Sequence, residues 1–293
     1  MIKAAYHDAK ILQLSSVPIC YVRKGQGPAV LLLHGVPLSL LTWRHNIDYL
    51  ARQSTVIAID MKGYGMSGKP TGSYTPESQA RLIGELLDAF DLRKVSIIGS
   101  SYGCAVAIAF AYAQPKRVDK LVLINSVGYP GGPHSLERLL RIRILATLLR
   151  PTLRINTLGK FLFTSKLRKS YTNPRLASRE LVEAYFDLLR RDSGDSAFLT
   201  TLQHFQEHEV ARQLAAISHQ TLIIWGAEDH VLPVANAKLI HHSIQSSKLK
   251  IIPDCGHLPH EEAPELVNPL IAQFLGASTF AVFSATVGSH AGV

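Results

Sequence analysis

Six short runs of consecutive apolar residues constrain this chain most. They are Ala29-Val30-Leu31-Leu32-Leu33, Ser54–Asp60, Val95–Gly99, Lys120–Ile124, Thr221–Trp225 and Lys248–Ile252. Most are rich in β-branched residues and lack clean alternation. That is the pattern of strands covered on both faces, as in a parallel sheet. Two further stretches, near 11–15 and 18–23, are expected to pair as an antiparallel edge. Parallel neighbours need long crossover connections, and helical stretches lie between the runs. Thr75 is placed to cap one, with Pro76 at its first position, Glu77 in its first turn and an end near Phe90. Another follows Ser101 and stops at Gln114-Pro115, and a third starts near Ala263-Pro264-Glu265 and ends by Gly276. Strand–helix alternation of this kind predicts a doubly wound α/β sheet.

The alternation breaks between about 128 and 218, which reads as helical throughout. This stretch lies between two core runs, so it reads as an inserted helical cap. Residues 1–127 and 219–276 then form the core, and 277–293 a small, apolar, uncharged tail. Charge separates the same stretch. The chain of 293 residues has a formal net charge of +9. Residues 135–175 carry ten basic residues (Arg138, Arg141, Arg143, Arg150, Arg154, Lys160, Lys166, Arg168, Lys169 and Arg175) and one acid, Glu137. The rest of the chain is therefore neutral. A nucleic-acid binder would carry its basic surface differently, and none is expected as a partner. No apolar run is long enough to span a membrane, and Met1–Asp8 has no apolar core of the signal-peptide kind. Three widely spaced cysteines, Cys20, Cys104 and Cys255, make neither a disulfide framework nor a zinc pattern. A cytoplasmic enzyme without a metal or organic cofactor is expected.

The chemistry starts at Gly99-Ser100-Ser101-Tyr102-Gly103, a G-x-S-x-G sequence directly after the run Val95–Ile98 and before an Ala-rich helix. A sharp strand-to-helix turn there would lift the Ser101 hydroxyl clear of the sheet, and the flanking glycines would let strand and helix cross. Ser100 lacks this spacing. A serine hydroxyl is a poor nucleophile at neutral pH and needs a base, which in turn needs an orienting acid. Trp225–Pro233 follows one strand and Asp254–Pro259 follows the last. In a parallel sheet these loops share one edge with Ser101. Asp229 and His257 can converge on Ser101 there, with Glu228 kept as an alternative to Asp229. His34, beside Gly35, is expected to shape the backbone, and His230 and His260 lack the placement of His257. An acyl-transfer site also needs an oxyanion hole. The N–H of Tyr102 is one donor, and the N–H of Val36 the other, since Pro37 has none.

Taken together, His34-Gly35-Val36-Pro37, Asp60–Gly68, Gly99–Gly103, Gly226–Pro233 and Gly256-His257 resemble the α/β-hydrolase superfamily, over about residues 20–276. The likeness is to its capped group of esterases, lipases, haloperoxidase-like proteins, C–C bond hydrolases and epoxide hydrolases. The resemblance implies an α/β-hydrolase fold, a mostly parallel central sheet flanked by helices, with an inserted helical cap. It also implies the Ser…Asp…His order of the triad. Epoxide hydrolases and haloalkane dehalogenases of this group carry an aspartate where this chain has Ser101. C–C hydrolases often have tryptophan after the catalytic histidine, where this chain has Leu258. Lys62 stands where relatives often have arginine.

The expected reaction is two-step acyl transfer on a carboxylic ester with an apolar acyl or alcohol part. Alternatives are C–C hydrolysis of a diketone-like substrate, a biosynthetic thioesterase or cyclase, and a ligand receptor on the hydrolase scaffold. In the basic stretch, Leu139, Leu140, Ile142, Ile144, Leu145, Leu148 and Leu149 are expected to form a broad apolar helix face. It reads first as a core-packing face with a solvated basic side. The other reading is a lid in weak contact with an anionic membrane or substrate.

Overall fold

The computed structural model describes residues 5–129 and 156–276. Among these residues eight strands form one sheet: β1 (Lys10–Gln13), β2 (Pro18–Lys24), β3 (Ala29–Leu33), β4 (Thr55–Ile59), β5 (Val95–Ser100), β6 (Val118–Ile124), β7 (Gln220–Gly226) and β8 (Ser247–Ile252). Their order is β1-β2-β4-β3-β5-β6-β7-β8. β1 pairs antiparallel with β2, and β2 with β4. Every other pairing is parallel. The six apolar runs are β3 to β8, and the antiparallel edge is the N-terminal hairpin. Its first strand ends at Gln13, earlier than the sequence suggests, because the Leu14 N–H turns back to the Val17 carbonyl at 3.1 Å.

β3 shows why the runs do not alternate. Val30 and Leu32 point to one face and Leu31 and Leu33 to the other, and both faces are buried in separate cores. Helices α1 (Pro76–Ala89) and α2 (Tyr102–Ala113) cover the Leu31 face. Thr75 caps α1 by accepting the Ser78 N–H at 3.2 Å, with Pro76 at the first position. α2 is buried from Tyr102 to Ala111, as expected for a helix that is apolar all round. Its alanines let it lie close to the sheet.

Helices α3 (Asn156–Lys169), α4 (Arg179–Arg190), α5 (Gly194–His204) and α6 (Glu207–Leu214) lie in the chain between β6 and β7. α7 (Ala235–Ser243) follows β7 and α8 (Pro264–Leu275) follows β8, and two short helices lie at Ile47–Leu50 and Pro259–Glu262. α8 packs on the Leu32 face through Val267 and Ile271. A third apolar cluster joins Leu167, Tyr171, Leu181, Tyr185 and Leu188 of the inserted helices to Leu38, Leu41 and Leu258 of the body. These contacts set the inserted helices over the carboxyl end of β3 and the loop after β8.

Half of the basic stretch, Arg138, Arg141, Arg143, Arg150 and Arg154, lies outside the described residues, as do the leucine-rich face from Leu139 to Leu149 and the tail 277–293. Lys160 pairs with Glu183 at 3.0 Å, while Lys166, Arg168, Lys169 and Arg175 are exposed. Among the described residues no helix is long and apolar enough to cross a membrane. Cys20, Cys104 and Cys255 are buried free thiols.

Candidate active site

Four loops meet at the carboxyl edge of the sheet. β5 ends at Ser100, and Ser101 turns the chain into α2 with φ 53° and ψ −115°. A non-glycine residue held at positive φ is strained and persists only where its surroundings enforce it. Here the enforcement is close contact: a Cβ on Gly99 would lie 2.7 Å from the Cys104 nitrogen, and one on Gly103 would lie 2.2 Å from the Leu33 carbonyl oxygen. Strand and helix therefore cross where only glycine fits, and Ser101 projects at the apex. Gly35 lies beside it, since a Cβ there would sit 3.0 Å from the Ser101 Cβ.

β7 leads to Asp229 and β8 to His257. The Asp229 Oδ2 accepts from His257 Nδ1 at 2.9 Å and from Asn125 Nδ2 at 2.6 Å. Its Oδ1 accepts the N–H groups of Val231 at 2.7 Å and Leu232 at 2.9 Å. The aspartate side chain is wholly buried and the imidazole nearly so. Burial alone would raise the carboxyl's pKa, but the charge and hydrogen bond of His257, with Asn125 and the Leu232 N–H, hold it below its ordinary range. An ionised Asp229 only accepts. The proton of a neutral His257 therefore sits on Nδ1, which leaves the Nε2 lone pair as the free base. Glu228 does not reach the imidazole; its N–H donates to the Cys255 carbonyl at 2.9 Å.

Ser101, Tyr102, Val36 and His257 all line one cavity of about 110 Å³. Among the described residues no hydrogen bond joins the Ser101 hydroxyl to His257. Such bonds are often long in ligand-free sites and tighten when substrate arrives. The walls are mainly apolar, with Phe163, Leu167, Phe198, Leu202, Phe205 and Leu232 among them. Lys166, Ser170, Thr201 and Glu207 add polar groups. The inserted helices supply much of this wall. Tyr102 sits at the first position of α2, where a helix N–H has no intrahelical carbonyl to meet.

His34 and His260 take buried structural places. His34 is fully buried, with Nδ1 donating to the Gly35 carbonyl at 2.8 Å and Nε2 accepting the Met61 N–H at 3.0 Å. Burial pushes its pKa down to about 4, so it stays neutral and shapes the turn. His260 is buried against Thr42 and Trp43. His230 is exposed. Among the described residues no group of three His, Cys, Asp or Glu side chains is placed to hold a metal ion.

Asn125 is the residue the sequence reading missed. It follows β6 at φ 44°, and its side chain holds Asp229 while accepting the Gly226 N–H at 3.3 Å. The signal was an asparagine directly after a core strand, on the same edge as the other site loops.

The family model for the alpha/beta hydrolase fold matches residues 28–264. An uncharacterized protein of Mycobacterium tuberculosis is 30% identical over 270 residues, covering 86% of this chain and 76% of that one. A 2-hydroxy-6-oxononadienedioate/2-hydroxy-6-oxononatrienedioate hydrolase of Escherichia coli is 31% identical over 267 residues, covering 86% of this chain and 88% of that one. The crystal structure of an alpha/beta hydrolase fold protein from Burkholderia ambifaria superimposes with a TM-score of 0.80 at 23% identity, covering 91% of this chain and 97% of that one. With an eight-stranded, mostly parallel sheet and a family match over most of its length, the chain belongs to the α/β-hydrolase family.

Proposed function

We propose that this protein is a serine hydrolase that cleaves a carboxylic ester with an apolar acyl or alcohol part. One observation carries the reading. A serine strained at a strand–helix apex shares an apolar cavity with a histidine whose Nδ1 is held by a buried, ionised aspartate. In the first step His257 Nε2 takes the Ser101 proton as the oxygen bonds to the ester carbonyl carbon. The resulting oxyanion is held by the N–H groups of Val36 and Tyr102. The C–O bond breaks as His257 gives its proton to the leaving alcohol. Water, activated by the same imidazole, then releases the acid and restores Ser101. Asp229 holds the tautomer throughout. The inserted helices act as a cap whose Phe163, Leu167, Phe198 and Leu202 select the apolar part. The basic stretch 135–175 is proposed to draw anionic surfaces or substrates toward that cap.

A second reading is hydrolysis of a C–C bond in a diketone-like substrate by the same residues. It is favoured by relatives named for 2-hydroxy-6-oxo acids, in Escherichia coli and, at 29% identity, in Pseudomonas putida. Against it, His257 is followed by Leu258, where C–C hydrolases often have tryptophan. A p-nitrophenyl ester series from short to long chain, run beside Ser101→Ala, tests the first reading. Turnover that vanishes in the variant, and a fluorophosphonate label on Ser101, are the expected results. Labelling at Ser100, or full activity without Ser101, overturns it. Product analysis separates the two readings, since ester cleavage yields an alcohol and C–C cleavage a new C–H bond.

A further inference from the structure

The backbone that carries His257 is held by the inserted helices. The His257 N–H donates to the Ser170 carbonyl at 2.7 Å. Ser170 directly follows α3 and lines the same cavity as Ser101. One residue before the histidine, the Gly256 N–H donates to Glu262 Oε2 at 2.7 Å. The other oxygen of that carboxylate, Oε1, accepts the Asn173 N–H at 2.9 Å. Glu262 thus has one oxygen on the loop of His257 and the other on the turn after α3. Hydrogen bonds to an ionised acceptor are about twice as strong as neutral ones. There is no slack between the two segments, because a Cβ on Gly256 would lie 2.6 Å from the Ser170 oxygen and 3.0 Å from the Thr172 nitrogen. The same turn is held from its other side by Glu261, which accepts the Tyr171 hydroxyl at 3.0 Å.

We infer that Glu262 is a positioning residue: by locking Gly256 to the Ser170–Asn173 turn, it makes the imidazole of His257 and the cap's cavity wall move as one body. An acyl group that enters between α3 and the sheet then bears on the segment that sets the base. Turnover, more than affinity, becomes sensitive to how that group fills the cavity. The inference rests on the reading of Ser101, Asp229 and His257 as the acting residues.

Glu262→Gln is the test. The amide keeps the length of the side chain, but its NH₂ cannot accept the N–H that one carboxylate oxygen now takes. A displacement of the base by about 1 Å costs about 100-fold in rate, so kcat for a short p-nitrophenyl ester should fall by up to about that factor. KM should stay within about twofold, since an interaction needed only for chemistry lowers kcat and not binding. The Nδ1 proton resonance of His257, which reports its bond to Asp229, should shift or broaden. Glu180→Gln, an exposed carboxylate on α4, should leave all three readings unchanged. Wild-type kcat with an unmoved proton resonance in Glu262→Gln overturns the inference. If that variant does not fold, amide exchange in the wild type decides: the Gly256, His257 and Asn173 amides should exchange through one shared opening. An Asn173 amide that exchanges independently of the other two overturns it. Neither the resonance nor the exchange needs a substrate. Failure of the triad reading, seen as full activity in Ser101→Ala, is therefore distinct from failure of the positioning role.

Discussion

Asp229 shows what a single residue contributes at this site. Its four hydrogen-bond partners consume both oxygens, and one of the four is the imidazole whose tautomer it sets. Asp229→Asn keeps the shape but presents an NH₂ where an acceptor is required. The Nδ1 proton then loses its partner and the wrong tautomer is favoured. Turnover of a p-nitrophenyl ester should fall by about 10⁴-fold with the fold intact by circular dichroism. A comparable loss in Glu228→Gln and none in Asp229→Asn would assign the acid to the wrong carboxylate. That Ser101, Asp229 and His257 come to one edge of the sheet was legible in the sequence because each lies in the loop after a recognisable strand, and parallel strands end at one edge. Asn125 follows a strand too, but its value depends on which loop comes to face it. Strand order decides that, through the β6–β7 pairing that sets Ile124 against Ile224.

Among the elements, the short helix Pro259–Glu262 carries two acids, Glu261 and Glu262. Acids in a first turn favour a helix N-terminus. In the fold Glu261 is fully buried, ion-paired with Arg44 and hydrogen-bonded to Thr42 at 2.5 Å and Tyr185 at 2.9 Å. Burial alone would raise its carboxyl, but Arg44, with His260 and Thr42, lowers it from its ordinary 4.5. A depressed native pKa adds stability that is fully present above the unfolded value. That stability is lost as pH falls through the native one. The melting temperature should therefore drop as pH is lowered below about 4, and Glu261→Gln should flatten that part of the profile. At neutral pH the same variant leaves Arg44 without its partner and should cost about 3 kcal/mol in denaturant unfolding. An unchanged melting temperature at neutral pH would show that the buried pair adds nothing to the joint between body and inserted helices.

For the whole molecule, charge and fold are set apart. The excess of positive charge belongs to residues 135–175, and the remainder is balanced. If that stretch draws anionic partners, kcat/KM for an acidic ester should fall as salt rises, because the Debye length is only about 8 Å at physiological ionic strength. Replacing Arg141, Arg143 and Arg168 with glutamine should weaken the salt dependence and leave short neutral esters unaffected. Equal rates for acidic and neutral esters at low salt, with no binding to anionic vesicles, would show the charge to be solubilising only. The sequence by itself determined the strands, the helices between them and the order in which Ser101, Asp229 and His257 arrive. Those follow from local hydrophobic pattern, caps and turn residues, which are properties of a few neighbouring positions. Only the tertiary structure decided that Leu38, Leu41 and Leu258 join the inserted helices in one core, that Asn125 holds Asp229, and that Glu261 and Glu262 clamp a turn from another part of the chain. Contacts between residues so far apart in the chain depend on strand order and on how the helices pack, and no local window of sequence carries that information.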